Sequence, residues 1–139
     1  MKELLLDTHV LIWLLEGHSQ LDNKCKKIIN HAAQNSCVNI AAISTWEVSM
    51  LVMKQRIVLE KPLLTWLNQM LSLPGINLKE LTPEIAVESC SLPSNHTFQG
   101  DPADRLIVAT ARVHGLTLLT HDKKILNYAK QDFISVIAV

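Results

Sequence analysis

In the segment Leu4-Leu5-Leu6-Asp7-Thr8-His9 an apolar run ends at an acid, and a helical pattern follows at once. Consecutive apolar residues without polar alternation predict a strand that is buried on both faces, as in a parallel sheet. Residues 8–16 are predicted to form a helix that stops at Gly17. A buried strand followed directly by a helix is the first half of a β–α unit, so this stretch favours an α/β fold.

The same alternation of strands and helices continues along the whole sequence. Pro74-Gly75 separates a predicted helix from a predicted strand, and Gly115 follows a helix and precedes a strand. Strands that alternate with helices form a parallel sheet with helices on both faces. The predicted fold is therefore a three-layer α/β/α sandwich around a central parallel sheet of four to five strands. The predicted strands are residues 2–6, 37–42, 76–81, 116–120 and 133–137, the predicted helices are residues 8–16, 22–34, 44–55, 62–73, 82–91, 101–114 and 123–130, and residues 92–100 are a predicted loop.

Length and composition predict one globular domain over residues 1–139. That length is typical of a single domain. The 48% of hydrophobic residues are enough for one core, and a charged fraction of 19% argues against disorder. The apolar stretches are shorter than the roughly 18 residues that a membrane span requires. We therefore expect a cytoplasmic protein without a membrane partner.

Four acids lie at the junctions between predicted strands and predicted helices. In a parallel sheet such junctions share one edge, and ligands bind at that edge beside the topological switch point. Carboxylates that approach one another cannot all stay ionised without a cation. The cluster therefore predicts a divalent metal and chemistry on a phosphate. The four acids are Asp7, Glu47, Asp104 and Asp122.

Each of these acids also has a purely structural explanation. Asp7 and Asp122 are placed to cap the helices that follow them. Glu47 stands three residues after Ser44, which is the spacing of a capping box. An N-cap and a first-turn acid explain Asp101-Pro102-Ala103-Asp104 in the same way. The coincidence of four acids at one edge favours a shared site over four independent caps.

Charge and aromatic residues give a weaker indication of a nucleic-acid ligand. The chain has 13 Lys and Arg against 13 Asp and Glu, which is not the basic signature of nucleic-acid binding. If a metal neutralises the four clustered acids, nine acids remain and four positive charges are in surplus. Trp13, Trp46 and Trp66 could stack on bases, but apolar neighbours at helical spacing favour packing in the core or at an interface. His9 and His121 flank two acids without metal-ligand spacing, so we expect them to support the site or to face solvent.

Four segments carry a family resemblance, namely Leu5-Leu6-Asp7-Thr8-His9, Ile43-Ser44-Thr45-Trp46-Glu47, Gly100-Asp101-Pro102-Ala103-Asp104-Arg105-Leu106-Ile107-Val108-Ala109 and Leu118-Leu119-Thr120-His121-Asp122. In these segments the chain resembles the PIN-domain ribonucleases, especially VapC-type toxins of prokaryotic toxin–antitoxin pairs. The match spans nearly the whole chain in order, and its Asp-Pro-x-Asp-Arg element is quite specific. The resemblance implies an α/β/α sandwich with a metal-binding acidic pocket, in which the four acids take the family's acid positions. Ala103 stands where many members carry a bulky aromatic residue, a difference that bears on packing more than on chemistry.

The resemblance also suggests how the acids are used. An all-oxygen site suits Mg²⁺, which keeps several waters and accepts phosphate oxygens, and Mn²⁺ fits the same ligands. We expect Asp7 and either Asp104 or Asp122 to bind the metal directly. Glu47 is expected to act through a water molecule, and Asp101 is a secondary candidate ligand. Thr8 and Thr120 could supply hydroxyl groups beside the metal, or they could be only cap and strand residues. Arg105 could orient a carboxylate or contact a phosphate, or it could form only a salt bridge within its helix.

The expected function is metal-dependent cleavage of RNA phosphodiesters by the toxin of a toxin–antitoxin pair. The resemblance implies a small antitoxin that holds the toxin inactive, and it also implies a homodimer. The apolar helices at residues 48–71, with Trp66 and Met70, are the candidate docking surface. The alternative is that these residues fill the core of the domain itself.

Two other functions compete with this hypothesis. The first is a catalytically silent PIN-fold module that binds RNA or serves as a scaffold, and the intact acids count against it. The second is a receiver-like phosphoacceptor, which also has a doubly wound sheet and an acidic Mg²⁺ pocket. That fold requires paired acids after the first strand and an Asp after the third. Here Asp7 stands alone, and Leu81-Thr82-Pro83 follows the third predicted strand.

Overall fold

In the computed structural model, the residues described are 2–94, 98 and 100–139, and they form five strands and seven helices. The strands are β1 (Leu4–Leu6), β2 (Val38–Ala41), β3 (Ile76–Lys79), β4 (Thr117–Thr120) and β5 (Ser135–Ala138), and the helices are α1 (Thr8–Glu16), α2 (Asn23–Gln34), α3 (Ala42–Met53), α4 (Leu63–Ser72), α5 (Pro83–Cys90), α6 (Pro102–His114) and α7 (Lys123–Ala129). The strands form one sheet in the order β3-β2-β1-β4-β5, and every neighbouring pair is parallel. The predicted α/β/α sandwich with a parallel sheet is confirmed.

The sheet separates two hydrophobic cores. Side chains of a strand alternate between its faces, so Leu4 and Leu6 contribute to one core and Leu5 contributes to the other. All three leucines are buried, as the unbroken apolar run predicted. The first core continues into α1, α2 and α4, and the second continues into α5, α6 and α7. Representative residues are Leu11, Ile29 and Met70 in the first core and Ile85, Ile107 and Ile125 in the second.

The predicted elements all occur in the predicted order, and the differences lie at their ends. The largest functional difference concerns α3, which begins at Ala42 rather than at Ser44. Its N-cap is Ala41, the last residue of β2, and no side chain caps it. The sequence signal at Ser44 was therefore misleading, because this helix follows its strand without a capping residue. Of the predicted loop at residues 92–100, residues 95–97 and 99 lie outside the described part of the chain.

The strand order places the topological switch point between β1 and β4. From β1 the chain moves to β2 and β3 on one side, and it returns to add β4 and β5 on the other side. The carboxyl ends of β1 and β4 therefore flank the position where open α/β sheets bind ligands. Asp7 directly follows β1, and His121 and Asp122 follow β4.

Within the predicted docking surface at residues 48–71, the placement of Trp66 and Met70 is wrong. Trp66 and Met70 are only 5% and 1% exposed, and Val48 is fully buried, so these residues belong to the first core. The alternative, that they fill the domain's own core, is confirmed. Trp46, in contrast, is 53% exposed. Within the described residues the longest helix has 13 residues, and none of the helices combines the length and apolar character needed to cross a membrane.

Candidate metal centre at the carboxyl edge of the sheet

A cavity of about 630 Å³ lies beside the carboxyl ends of β1 and β4. Its lining includes every acid that the sequence singled out as a candidate ligand. These acids come from four separate regions of the chain, which meet because parallel strands present their carboxyl ends at one edge. The acids are Asp7, Glu47, Asp101, Asp104 and Asp122.

Asp7 is held by two hydrogen bonds at the base of the cavity. The residue is only 7% exposed. The Thr120 hydroxyl donates to Asp7 Oδ2 at 2.6 Å, and the Thr8 backbone N–H donates to Asp7 Oδ1 at 2.8 Å. Burial raises the pKa of Asp7, although both hydrogen bonds act to lower it and the nearby charge of Asp122 raises it further. The expected cap role is also confirmed, because Asp7 is the N-cap of α1.

Glu47 is positioned by a hydroxyl of α1 and does not form a capping box. The Thr8 hydroxyl donates to Glu47 Oε1 at 2.6 Å and lies 3.0 Å from the Ser44 hydroxyl. Because α3 already begins at Ala42, the capping box expected between Ser44 and Glu47 is absent. Burial raises the pKa of Glu47, and the charges of other cavity acids add to the effect. The carboxyl group of Glu47 is therefore oriented by a partly buried hydrogen bond at the edge of the cavity.

Asp101 and Asp104 have a structural role and a site role at the same time. They form the capping box of α6, in which the Asp104 N–H donates to Asp101 Oδ1 at 2.9 Å and the Asp101 N–H donates to Asp104 Oδ2 at 3.3 Å. Their carboxylates also meet that of Glu47, since one oxygen from each of the three lies within 4.8 Å of the others. Burial raises the pKa of Asp104 to about 7, and the charge of Asp101 is the next largest cause.

Thr120 links Asp122 to Asp7. The Asp122 N–H donates to the Thr120 hydroxyl at 3.0 Å, and the same hydroxyl donates to Asp7. Asp122 is also the N-cap of α7, as expected, and accepts hydrogen bonds from Lys124 N and Ile125 N. The ends of β1 and β4 are thus joined through one fully buried hydroxyl group.

Arg105 is not among the described residues that line the cavity. Its Nε donates to the Ser89 carbonyl oxygen at 3.1 Å, and its guanidinium lies 5.8 Å from the centre of the Phe98 ring. These contacts tie α6 to α5 and to the segment before α6. The two threonines named with Arg105 as supporting groups, Thr8 and Thr120, do contact the acids directly.

The sequence did not predict that Trp13 and Lys124 line the same cavity. Trp13 was assigned to packing, and it does pack in part against the first core. The spacing in α1 could have indicated this position. His9 and Trp13 are four residues apart and therefore lie on the same face of the helix, and that helix begins directly after Asp7. Lys124 reaches the cavity because it lies in the first turn of the helix that Asp122 caps.

Comparison with known proteins identifies the family. The PIN domain, as a sequence family, matches residues 4–131 of this chain. The chain belongs to the PIN-domain family. It is 38% identical over 125 residues to ribonuclease VapC22 of Mycobacterium tuberculosis, and the match covers 90% of this chain and 91% of that protein. The resemblance to PIN-domain ribonucleases of the VapC type is therefore confirmed.

Solved structures support the same fold. The VapBC2 complex of Rickettsia felis bound to a promoter DNA fragment contains a chain with a TM-score of 0.73 and 15% identity, and the match covers 98% of each chain. A toxin–antitoxin complex from Klebsiella pneumoniae gives a TM-score of 0.62 at 22% identity and covers 96% of this chain and 94% of the other. At these identities the likeness concerns the fold, which is the fold of the PIN domain described above.

The donor set of this PIN domain fits a hard divalent cation. The clustered acids offer only carboxylate oxygens, which are the ligands that Mg²⁺ and Mn²⁺ prefer. Among the described residues lining the cavity, Lys124 is the only Lys or Arg, so the negative charges are poorly balanced. Glu47, Asp101 and Asp104 each bring one carboxylate oxygen within 4.8 Å of the other two, and Asp7 and Asp122 line the same cavity. Glu47, Asp101 and Asp104 are thus the three residues best placed to share an ion.

Proposed function

We propose that this PIN domain is a metal-dependent endoribonuclease and the toxin of a toxin–antitoxin pair. The observation that carries the proposal is the meeting of five carboxylates in one cavity at the switch point of a PIN fold. The 38% identity to a protein named ribonuclease VapC22 supports RNA as the substrate. The solved VapBC and toxin–antitoxin complexes support an antitoxin partner.

The proposed roles follow from the contacts of each acid. Glu47, Asp101 and Asp104, whose oxygens lie within 4.8 Å of one another, would hold the ion, and Asp7 and Asp122, which line the same cavity, are proposed as further ligands. Bound Mg²⁺ or Mn²⁺ would supply an activated water and neutralise charge on the phosphate. The protein's own contribution is to fix the carboxylates, because Thr8 and Thr120 orient Glu47 and Asp7 through buried hydroxyl groups.

The raised pKa values support the proposal that the carboxylates of the cavity are stabilised by a cation. With a pKa of about 7, Asp104 is half protonated at neutral pH when no ion is bound. A divalent cation competes with that proton, since it favours the ionised form of the carboxyl group. The site is therefore expected to bind its ion more tightly as the pH rises through 7.

The direct test is cleavage of a single-stranded RNA with Mg²⁺ or Mn²⁺. Wild-type protein should cleave it, and both EDTA and the Asp7→Asn variant should abolish cleavage. Asp22→Asn is the matched control, because Asp22 is also a helix N-cap but lies at the start of α2, outside the cavity. Activity that survives both EDTA and Asp7→Asn would defeat the metal mechanism. Tight RNA binding without any cleavage would favour a silent RNA-binding module instead.

For the antitoxin we propose a surface made by α3, α4 and the segment between them. Exposed apolar side chains on these elements are Met53 at 75%, Val58 at 91% and Leu64 at 70%. A groove of about 290 Å³ in the α3–α4 connection is lined by Val58 and other mostly apolar residues. The double variant Met53→Glu/Leu64→Glu should lose co-purification with the antitoxin and keep RNA cleavage. Val87→Glu, on α5 at 68% exposure, is the matched control and should retain the partner.

We also propose that the chain forms a homodimer. Sedimentation equilibrium can measure this oligomeric state.

A further inference from the structure

The acidic cavity has a second part to its lining that the proposed cleavage chemistry leaves unused. In addition to the acids, the described lining contains aromatic, amide and basic side chains from α1, from the segment after α1 and from the start of α7. The aromatic rings and the Lys124 ammonium group are not preferred ligands of Mg²⁺, so the proposed ion does not account for them. The residues are His9, Trp13, Gln20, His121 and Lys124.

Trp13 is the centre of a group of aromatic rings, of which Trp13, His9 and His121 line the cavity and His18 lies behind Trp13 outside the described lining. The His18 ring stacks with it, with 5.9 Å between ring centroids and 25° between planes. The His121 ring approaches edge-on at 5.4 Å and 70°, and the His9 ring lies 6.1 Å away. These are arrangements that aromatic pairs prefer. We call Trp13, His9, His18 and His121 the aromatic group.

Three members of the aromatic group have a further contact that restricts the orientation of the ring. His121 Nδ1 forms a hydrogen bond of 2.7 Å with the Val139 carbonyl oxygen. The Gln20 N–H donates to His18 Nδ1 at 3.0 Å. Trp13 packs partly against the first core. Because these side chains are already ordered, a ligand that stacks on them loses less conformational entropy than it would on mobile rings.

Core packing alone does not explain the aromatic group. Trp66 is a core tryptophan with 5% exposure. Trp13, in contrast, is partly exposed, and its three histidine partners are exposed. The group thus presents aromatic surface to solvent beside a cluster of carboxylates. The two parts share one cavity of about 630 Å³, within the range of about 300 to 1,000 Å³ typical of pockets that bury drug-sized ligands, which are similar in size to a nucleotide.

We propose that the aromatic group is a base-stacking subsite for an unpaired nucleotide next to the phosphate that the carboxylates address. This inference rests on the proposed function, because it takes RNA as the ligand of the cavity. Aromatic rings stack on any exposed base, and Lys124 supplies a positive charge for a neighbouring phosphate. The subsite requires single-stranded RNA, since bases in a duplex are stacked on one another and their faces are hidden.

Binding of a fluorescein-labelled 12-nucleotide single-stranded RNA tests the subsite. All variants are made in the Asp7→Asn background with Mg²⁺ present, so that the RNA is not cut during the measurement. Trp13→Leu keeps an apolar side chain against the core but removes the ring, and it should weaken binding about 5- to 100-fold. Trp13→Phe keeps a ring and should retain most of the affinity. Trp46→Leu is the matched control, because Trp46 is exposed but does not line the cavity, and it should bind normally.

A second measurement separates stacking from general loss of structure. An RNA series in which each nucleotide in turn lacks its base should show one position at which the missing base weakens binding to the Asp7→Asn protein. The same substitution should have little further effect on the Trp13→Leu protein, because the stacking partner is already gone. If Trp13→Leu fails to fold by circular dichroism, His121→Ala takes its place, since His121 is exposed.

Several outcomes would overturn the subsite. Equal RNA affinity of the Trp13→Leu and Trp13→Phe proteins would do so, and so would unchanged affinity of His121→Ala when that variant is needed. Equal affinity for a hairpin duplex of the same sequence would also contradict it. If the Trp13 dependence holds but the wild-type protein never cleaves RNA, the subsite stands and the proposed ribonuclease function fails. If cleavage occurs but no base position depends on Trp13, the function stands and the subsite fails.

Discussion

The carboxyl group of Asp104 titrates near neutral pH, with a pKa of about 7, because it is buried beside other acids. In the unfolded chain it would ionise near its ordinary value of 3.8. The folded state therefore holds this proton more tightly than the unfolded state does. The stability that this proton contributes is fully present below pH 3.8 and is lost as the pH rises through 7. Asp7 and Glu47, whose pKa values are also raised, act in the same direction.

Asp104→Asn should therefore stabilise the metal-free protein at high pH. We expect its melting temperature to exceed that of the wild type at pH 8, because the wild-type carboxylate is ionised there while partly buried beside other acids. The difference should shrink toward pH 5, where the wild-type group is protonated. Added Mn²⁺ should raise the melting temperature of the wild type more than that of the variant. Thermal unfolding monitored by circular dichroism measures these melting temperatures. If the difference in melting temperature between the variant and the wild type does not change with pH, the raised pKa of Asp104 is wrong.

Thr120 is the residue whose loss should affect both stability and activity without a change of charge. Thr120→Val leaves the buried Asp7 carboxylate and the Asp122 N–H without the hydroxyl partner that they share. A buried polar group without its partner costs about 1–3 kcal/mol, so the free energy of unfolding should fall by about that amount. RNA cleavage should fall about 10- to 100-fold, as is common when a group that orients a ligand is removed.

Thr110→Val is the matched control for that experiment. Thr110 is also buried in the second half of the chain, but its hydroxyl donates to the Leu106 carbonyl oxygen within α6. That carbonyl keeps its helical environment, so the cost to stability should be smaller and cleavage should not change. Equal losses of cleavage in the two variants, measured as initial rates with saturating Mn²⁺, would show that Thr120 has no special part in the site.

At the scale of single residues, the positions of the acids could be predicted from the sequence better than the side chains that contact them. Asp7 and Asp122 could be found because each follows an apolar run at a strand end, where the fold determines the position. The threonine hydroxyls could be named, but their partners depend on side-chain rotamers across 39 and 113 residues of separation. The cavity face of Trp13 was missed because one side of this ring packs on the core, so its apolar neighbours suggested burial.

At the scale of secondary structure, most helices of this chain begin next to a residue that can cap them. Asp22, Thr82 and Asp101 cap their helices through side-chain hydrogen bonds, and the cap at Asp101 was predicted from the sequence. The start of α3 could not be predicted, because Ala41 caps it without a side-chain hydrogen bond. This difference matters for the site, since a start at Ala42 places Glu47 in the second turn and turns it toward α1 rather than toward its own helix end.

The capping role and the proposed ligand role of Asp101 can be separated by Asp101→Ser. Serine caps helices about as well as aspartate, so the free energy of unfolding should change by less than about 0.5 kcal/mol. The carboxylate is lost, however, and the affinity for Mn²⁺ should fall by about tenfold or more. Isothermal titration calorimetry measures the affinity. Asp22→Ser makes the same replacement at the start of α2 and should leave Mn²⁺ binding unchanged. Normal Mn²⁺ affinity in Asp101→Ser would leave Asp101 only its capping role.

At the scale of the whole molecule, the charge balance shows why bulk composition says little about the ligand. The formal charge is zero, yet five acids gather in one cavity with a single lysine among the described lining residues. The remaining basic residues are therefore in excess over the acids outside the cavity. Composition reports the sum of charges, whereas the fold decides where they lie, so this separation could be inferred only after the junction acids were recognised.

The two hydrophobic cores share one sheet. They lie on opposite faces of one sheet, and the central strand contributes Leu4 and Leu6 to one core and Leu5 to the other. Loss of either core would expose a face of every strand and remove the support of the sheet. We therefore propose that residues 1–139 form a single cooperative domain, which should unfold in one transition.

Ile29→Ala and Ile107→Ala test this cooperativity, one in each core. Both side chains are almost fully buried, at 2% and 0% exposure, and each truncation should lower the free energy of unfolding by about 2–5 kcal/mol. In a single unit, each variant should shift the whole transition, so that unfolding in urea monitored by tryptophan fluorescence and by circular dichroism coincides in both proteins. Trp66 lies in the first core, so its fluorescence reports directly on that side of the sheet. If Ile107→Ala lowered the midpoint seen by circular dichroism but left the fluorescence midpoint unchanged, the two cores would unfold independently and the single domain would be wrong.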